Sequence, residues 1–170
     1  IATLAPSAHN IQPWKFVVVR EKNKELAKLA YGTNFDQVSE APVTIVLFSD
    51  TDLPKRARKI ARIGGAKNFS EEQLQYFLKN LPAEYTRYNE QQISDYLALN
   101  AGLVAMNLVL ALTDQGIGSN IILGFDKSKV NEVLDIDARF RPELLITVGY
   151  TDKKLEPSYR LPVDEIIEKR

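Results

Sequence analysis

Between Leu97 and Leu112 the chain carries an almost unbroken apolar run, interrupted only by Asn100 and Asn107. The run lies inside a longer helical pattern over residues 90–113, and Gln115-Gly116-Ile117-Gly118 stops it. Its apolar residues cover nearly the whole circumference, which predicts a central helix. Asp95 and Asp114 flank it, and it is shorter than the roughly 20 apolar residues that a membrane span needs. The expectation is a buried helix and no membrane contact. A seam between two copies of the chain is the alternative use of an all-apolar helix.

Short strands and further helices surround this segment. Lys15–Val19 is a β-branched run that predicts a strand buried on both faces. A helix is expected over 21–31, ended by Gly32. Val43–Phe48 reads as a strand entered through Ala41-Pro42, a position where proline has no ladder donor to lose. Residues 53–68 are basic and helical until Gly64-Gly65 breaks them, and Ser70 caps a helix that opens with Glu71 and Glu72. Strands over 119–123 and 144–149 bracket a short helix over 126–134. Interleaved elements without repeats or linkers in 170 residues predict one domain over 1–170, a layered α+β or α/β unit.

Composition excludes several chemistries. The chain has no cysteine, so disulfides, thiolate metal sites and a cysteine nucleophile are ruled out. One histidine, His9, forbids a multi-histidine metal site within the chain, and no metal site is expected. Redox chemistry would need a bound organic cofactor. Twenty-two basic residues balance 22 acidic ones, so no global field favours nucleic acid. Gly116 and Gly118 follow a helix instead of a strand and lack a third glycine, which fails the context of a dinucleotide-binding turn. No signal-peptide pattern is visible, and a cytoplasmic setting is expected.

The segment Ala5-Pro-Ser-Ala-His-Asn-Ile-Gln-Pro-Trp-Lys-Phe16 is a polar loop feeding a strand. Ser7, Asn10 and Gln12 offer hydroxyl and amide groups, Pro6 and Pro13 stiffen the backbone, and Trp14 anchors it. Composition alone favours a plain capped turn here. The alternative is a cradle for a ligand with alternating donors and acceptors.

Five short pieces change that balance because they occur in a fixed order. They are Pro6-Ser7-x-x-Asn10-x-Gln12-Pro13-Trp14, then Ala41-Pro42 before a strand, then the helix ending in Gln-Gly-Ile-Gly, then Leu123-Gly124-Phe125-Asp126, and finally Val148-Gly149-Tyr150 with Arg160-Leu161-Pro162. Together they resemble the nitroreductase family across most of the chain. The resemblance implies an α-β-α sandwich with a mostly antiparallel central sheet, two intertwined chains, and FMN at the interface of the homodimer. It implies NADH or NADPH as donor and a small electron-poor acceptor such as a nitroaromatic or quinone, with both half-reactions at the same place. Carried over by position, Pro6, Ser7, Ala8 and Asn10 would touch the partner chain's FMN, and Gln12 is a further cofactor-binding residue that the resemblance implies. Asn34 and Gln37 would face the polar edge of the ring, and Ile122, Leu123 and Gly124 would lie against it. The backbone N–H of Leu123 would point at flavin N5, the one catalytic contact expected. Ser158 and Arg160 would hold the phosphate.

Two departures from the family pattern are visible. Gln37 stands where the family often has lysine, so a neutral amide would stabilise the reduced ring less. The family's initial Arg-x-Ser-x-Arg stretch, which also grips the phosphate, is expected upstream of Ile1. These departures keep open a second reading, a flavin-binding protein used for storage or regulation without turnover. His9 occupies a variable family position and is not expected to act as a general acid. The cations of residues 55–67 are read as a solvated helix face, with a steering role for an anionic nicotinamide cofactor as the alternative. Tyr76, Phe77, Tyr85 and Tyr88 fall in a region that forms a variable lid in the family.

Overall fold

The computed structural model describes residues 1–152 and 158–170. Four strands form one antiparallel sheet in the order β1-β2-β4-β3. They are β1 Trp14–Val19, β2 Val43–Asp50, β3 Gly118–Ile122 and β4 Phe140–Gly149. Each of the two central strands carries a β-branched or aromatic stretch that is buried on both faces. The pairing of β2 with β4 slips between Leu47 and Phe48, where Pro142 and Glu143 sit on β4. Proline has no N–H for a ladder, and a bulge accommodates that loss. Strand β3 reaches only to Leu145, so this irregular end of β4 has β2 as its one neighbour.

Helices cover both faces, which gives the α-β-α sandwich. On one face α1 Asn23–Ala27, α2 Asn34–Glu40 and α7 Val130–Leu134 seat Leu26, Val38 and Val130 against Val46, Phe48 and Leu145. On the other, α6 Glu90–Asp114 presses Ala101, Val104 and Ala105 against Leu47, Leu144 and Ile146. A third cluster joins α3 Leu53–Gly65, α5 Leu81–Tyr85 and the start of α6 through Leu53, Ala57, Leu81 and Leu97. A capping box at Ser70 and Gln73 opens α4 Glu71–Gln75. The five residues Tyr76–Asn80 then adopt π-helical bonding before α5. Pro82 follows at once, and a widened turn tolerates the donor it lacks.

Three sequence expectations need correction. Among the described residues strand β1 pairs only with β2, as an edge strand, and Val18 is 58% exposed, so it is not buried on both faces. The helix expected over 21–31 ends at Ala27, because Leu29–Tyr31 is drawn into pairing with residues 124–126. Ala30 bridges Phe125, Asp126 N–H donates to the Leu29 carbonyl at 2.7 Å, and Tyr31 N–H donates to the Gly124 carbonyl at 2.9 Å. Gly32, at φ 56°, then turns the chain into α2, an element the sequence did not reveal.

The third correction concerns α6. It spans 25 residues, long and apolar enough to cross a membrane by length and composition. Yet only one side is buried within the chain. Leu97, Ala101, Val104 and Ala105 are covered, whereas Leu99, Leu103, Met106 and Leu110 are 40–66% exposed. The exposed set recurs at steps of four, three and four, a stripe along one helix face.

Two polar clusters tie the layers. Asp50, at the end of β2, is 1% exposed and takes both Arg139 nitrogens at 2.8 Å. Arg56 of α3 lies 3.9 Å from the same carboxylate. Between α5 and α6 the Tyr85 and Tyr96 hydroxyls are 2.8 Å apart, and Tyr85 also meets His9 Nδ1 at 3.3 Å. Burial pushes the Tyr96 phenol up to about 12, the Tyr85 hydrogen bond acting against it. Burial also raises Tyr85, helped by the hydrogen bond to Tyr96.

Two outcomes are expected. Asp50→Ala removes the anion shared by two arginines, and it should cost about 3 kcal/mol, the scale of breaking a buried pair. Urea titration reads this as a lower midpoint at unchanged slope. A loss under about 1 kcal/mol would mean that both arginines find water instead. The tyrosine pair predicts an alkaline limit. Tyr96 has its ordinary value of 10.0 when unfolded and about 12 when folded. The stability it contributes is complete below the first value and is lost as pH rises towards the second. Urea midpoints should fall between about pH 9.5 and about pH 11.5, less steeply in Tyr96→Phe. Equal slopes in the two proteins would refute this.

Candidate functional site

The polar loop before β1 is held in a backbone shape that few residues adopt. His9, Asn10 and Gln12 have φ of 53°, 50° and 48°. Left-handed backbone at three non-glycine positions costs free energy and persists only where the surroundings enforce it. The enforcing groups are visible. Asn100 of α6 accepts the Ala8 N–H on Oδ1 at 2.9 Å and donates from Nδ2 to the Tyr96 carbonyl at 2.6 Å. Tyr96 donates its hydroxyl proton to the Ala8 carbonyl at 2.9 Å. Both polar groups of the Ala8 backbone are thereby fixed by one helix. Arg56 reaches the carbonyls of Ile11 at 3.3 Å and Trp14 at 3.3 Å, and also that of Gln12. Burial pulls the Arg56 guanidinium below its ordinary value, with Asp50 opposing and Arg139 adding to the fall.

Within the loop, Ser7 Oγ accepts the Gln12 N–H at 2.9 Å, and Gln12 Nε2 donates to Asn10 Oδ1 at 3.1 Å. Pro6, Ala8 and Asn10 are exposed, and Ser7 and Gln12 are partly covered. The sequence-derived loop residues thus form one preorganised polar surface.

A second group lies at the other face and the β3 end of the sheet. Asn34, the first residue of α2, donates from Nδ2 to the Gly124 carbonyl at 3.1 Å. That carbonyl also accepts from Tyr31, so the backbone after β3 is doubly pinned. A Cβ at Gly124 would stand 2.7 Å from Asn34 Nδ2, so a side chain there would push the Asn34 amide from its present place. Gln37 Oε1 accepts from Asn120 Nδ2 of β3. This commits the Gln37 oxygen and leaves its N–H groups as donors. Ile122 is 2% exposed with its side chain in the core, while Leu123 is 66% exposed.

A third group is Ser158 and Arg160, both exposed, with Arg160 Nη1 donating to Ser158 Oγ at 2.6 Å and to the Tyr159 carbonyl at 2.8 Å. Among the described residues, no hydrogen bond or ion pair joins any of these three groups to another. The sequence-derived residues thus form three groups that no such contact links. Sequence reasoning missed the supports, namely Asn100, Tyr96, Arg56 and Asp50. Asn100 had a signal, since a polar residue inside an apolar helix costs free energy unless it is bonded. Arg56 was hidden in a run of similar cations. Among the described residues no group of three or more metal-ligating side chains could hold an ion.

Comparison with known proteins gives these arrangements a context. The profile of the nitroreductase family matches residues 1–150. A nitroreductase family protein from Streptococcus pneumoniae is 89% identical and superposes with a TM-score of 0.96, over 100% of this chain and 85% of that one. A provisionally named NAD(P)H nitroreductase from Streptococcus pyogenes is 65% identical over 100% of this chain and 84% of its own length. A provisionally named nitroreductase from Exiguobacterium sibiricum, solved in complex with FMN, is 29% identical with a TM-score of 0.89, over 99% of this chain and 82% of that one. The α-β-α sandwich, the antiparallel sheet and the ordered motifs agree with these matches, and the chain belongs to the nitroreductase family.

Proposed function

We propose that the chain is an FMN-dependent oxidoreductase that works as a homodimer, with each flavin held by residues of both copies. The observation that carries this reading is the split site beside an uncovered apolar stripe. Three groups of flavin-type donors are linked by no hydrogen bond or ion pair among the described residues, and the loop group is clamped to the helix whose opposite face is exposed. Leu99, Leu103, Met106 and Leu110 on α6 would be covered by a second copy, as would Leu161, Val163 and Ile166 near the C-terminus, each more than half exposed. Stripes of this kind usually mark an interface.

The residues fit FMN chemically. The Gly124 carbonyl is doubly pinned, which fixes the backbone after β3 where the ring would lie. Asn34 and Gln37 supply amides for its polar edge, Leu123 supplies a backbone N–H for N5, and Ile122 lends backbone only. Ser158 and Arg160 supply a hydroxyl and a guanidinium fork shaped for a phosphate. Pro6, Ser7, Ala8, Asn10 and Gln12 would come from the partner. When bound, the flavin would take a hydride from NADH or NADPH and pass two electrons to a small electron-poor acceptor such as a nitroaromatic or quinone. The protein's own part is to hold the ring, exclude water and fix the donor carbon above it. A neutral amide at Gln37 would stabilise negative charge on the ring less than an ammonium would. The FMN complex of the Exiguobacterium relative supports the cofactor, and the name of the Streptococcus pyogenes relative supports the donor.

Purified protein mixed with FMN should show the absorption bands of a bound oxidised flavin, and anaerobic NADH or NADPH should bleach them. Retained flavin that neither donor bleaches would favour storage without turnover, and a protein that binds no flavin would end the proposal. A second measurement tests the shared site. Leu103→Glu with Met106→Glu places charge on the exposed stripe and should yield a folded monomer that loses FMN as well. A dimer of unchanged strength, or a monomer that keeps FMN at about the original affinity, would contradict binding between copies.

A further inference from the structure

A groove of about 400 Å³ opens between the loop and the C-terminal end of α3. Its walls include Asn10, Gln12, Ile63, Lys67, Asn68 and Phe69. Phe69 is fixed in place, because its ring lies on Gly64 so closely that a Cβ there would come within 2.4 Å of it. The ring also packs on Phe77 at 5.1 Å between centroids. The wall from the loop is preorganised by the Asn100 and Arg56 contacts. A volume of this size is sufficient for the nucleotide half of a dinucleotide.

The charge around the groove is one-sided. Residues 53–68 contain Lys55, Arg56, Arg58, Lys59, Arg62 and Lys67, and no aspartate or glutamate. Arg56 is committed to Asp50 and the loop carbonyls. None of the other five forms an ion pair among the described residues. Lys67 lines the groove itself. Lys59 is four residues before Ile63 and stands on the same side of α3, one turn below. The remaining three face solvent and add to the positive field. That field outweighs the roughly half negative charge at the end of α3. A solvated helix face needs no such groove, and the placing of Lys67 in one groove with two loop residues favours a ligand.

We propose that this groove takes the phosphates of the reduced nicotinamide dinucleotide, with Lys67 and Lys59 as the contacts. The inference rests on the flavin reading above. A dihydronicotinamide stacked beside the loop would send its anionic tail along the adjoining groove, where the cations also speed encounter.

The test uses the FMN-loaded protein, Lys67→Ala, Lys59→Ala and the pair combined. Three donors are compared: NADPH, NADH and 1-benzyl-1,4-dihydronicotinamide, which has no phosphate. The combined variant should raise KM for both dinucleotides roughly 10-fold or more, the scale of losing charge-assisted contacts. Its kcat and its KM for the benzyl donor should not move. Calorimetry with ADP-ribose, which carries the two phosphates and no nicotinamide, gives a readout without turnover, and binding should weaken in parallel. Added salt should weaken ADP-ribose binding to the unaltered protein and hardly affect the combined variant. Dinucleotide KM values within twofold of the original, or an equal shift for the benzyl donor, would overturn the groove assignment while leaving the flavin reading intact. Failure to oxidise even the benzyl donor would overturn both.

Discussion

One helix with apolar residues on all sides cannot be satisfied by one four-stranded sheet. Helix α6 buries Leu97, Ala101, Val104 and Ala105 within the chain and leaves Leu99, Leu103, Met106 and Leu110 uncovered. The rest of the architecture follows from that imbalance. The buried side fixes the sandwich, because it packs against one face of β2 and β4 while α1, α2 and α7 take the other. The exposed side is the surface that the proposed pairing of two copies would cover. The same helix carries Asn100, so the loop before β1 is fastened to the element that would form the seam.

That fastening explains an otherwise costly backbone. A loop with left-handed residues at His9, Asn10 and Gln12 would relax if it were free. Asn100 and Tyr96 remove that freedom at Ala8, and Arg56 does so at Ile11 to Trp14. Arg56 in turn depends on Asp50, which Arg139, just ahead of β4, holds from beside it. A buried anion hydrogen-bonded to one arginine and ion-paired with a second is a rigid joint more than a source of net stability, since desolvation consumes much of the Coulomb gain. Here the joint links β2, β4, α3 and the loop. Its value lies in geometry, because the proposed ring-binding surface would tolerate little displacement.

Much of the fold was legible in the sequence, for reasons that differ by element. The capping at Ser70, the β-branched strands and the glycines after α6 are local signals, and they hold. Helix α2 was not legible, because Asn34–Glu40 has only Val38 buried and its other residues give no periodic pattern. The early end of α1 was not legible either, since it is caused by pairing with residues 124–126, nearly a hundred positions away. Val18 reads as core by composition, but strand order makes β1 an edge. For the candidate site, the residues were named from ordered motifs, whereas their supports are long-range contacts that no local window contains. Gly124 shows the difference well. Its sequence context suggested close approach of a ligand, and the structure adds that the Asn34 amide already occupies the space of a side chain there.

The separation of the three donor groups has a thermodynamic consequence for the proposed assembly. If each flavin touches residues of both copies, binding and pairing are linked, and each raises the apparent affinity of the other by the same factor. A chain that paired without the cofactor would leave amides, a guanidinium and a backbone N–H facing an unfilled slot, which is unfavourable wherever water is excluded. A chain that bound the cofactor without pairing would have only one or two of the groups available. The clamp at Ala8 makes the linkage stiff. Movement of α6 at such a seam would reach the loop through the two hydrogen bonds that Asn100 and Tyr96 make to Ala8. On this argument the apolar stripe and the strained loop are parts of one device, and neither has a physical reason to persist without the other.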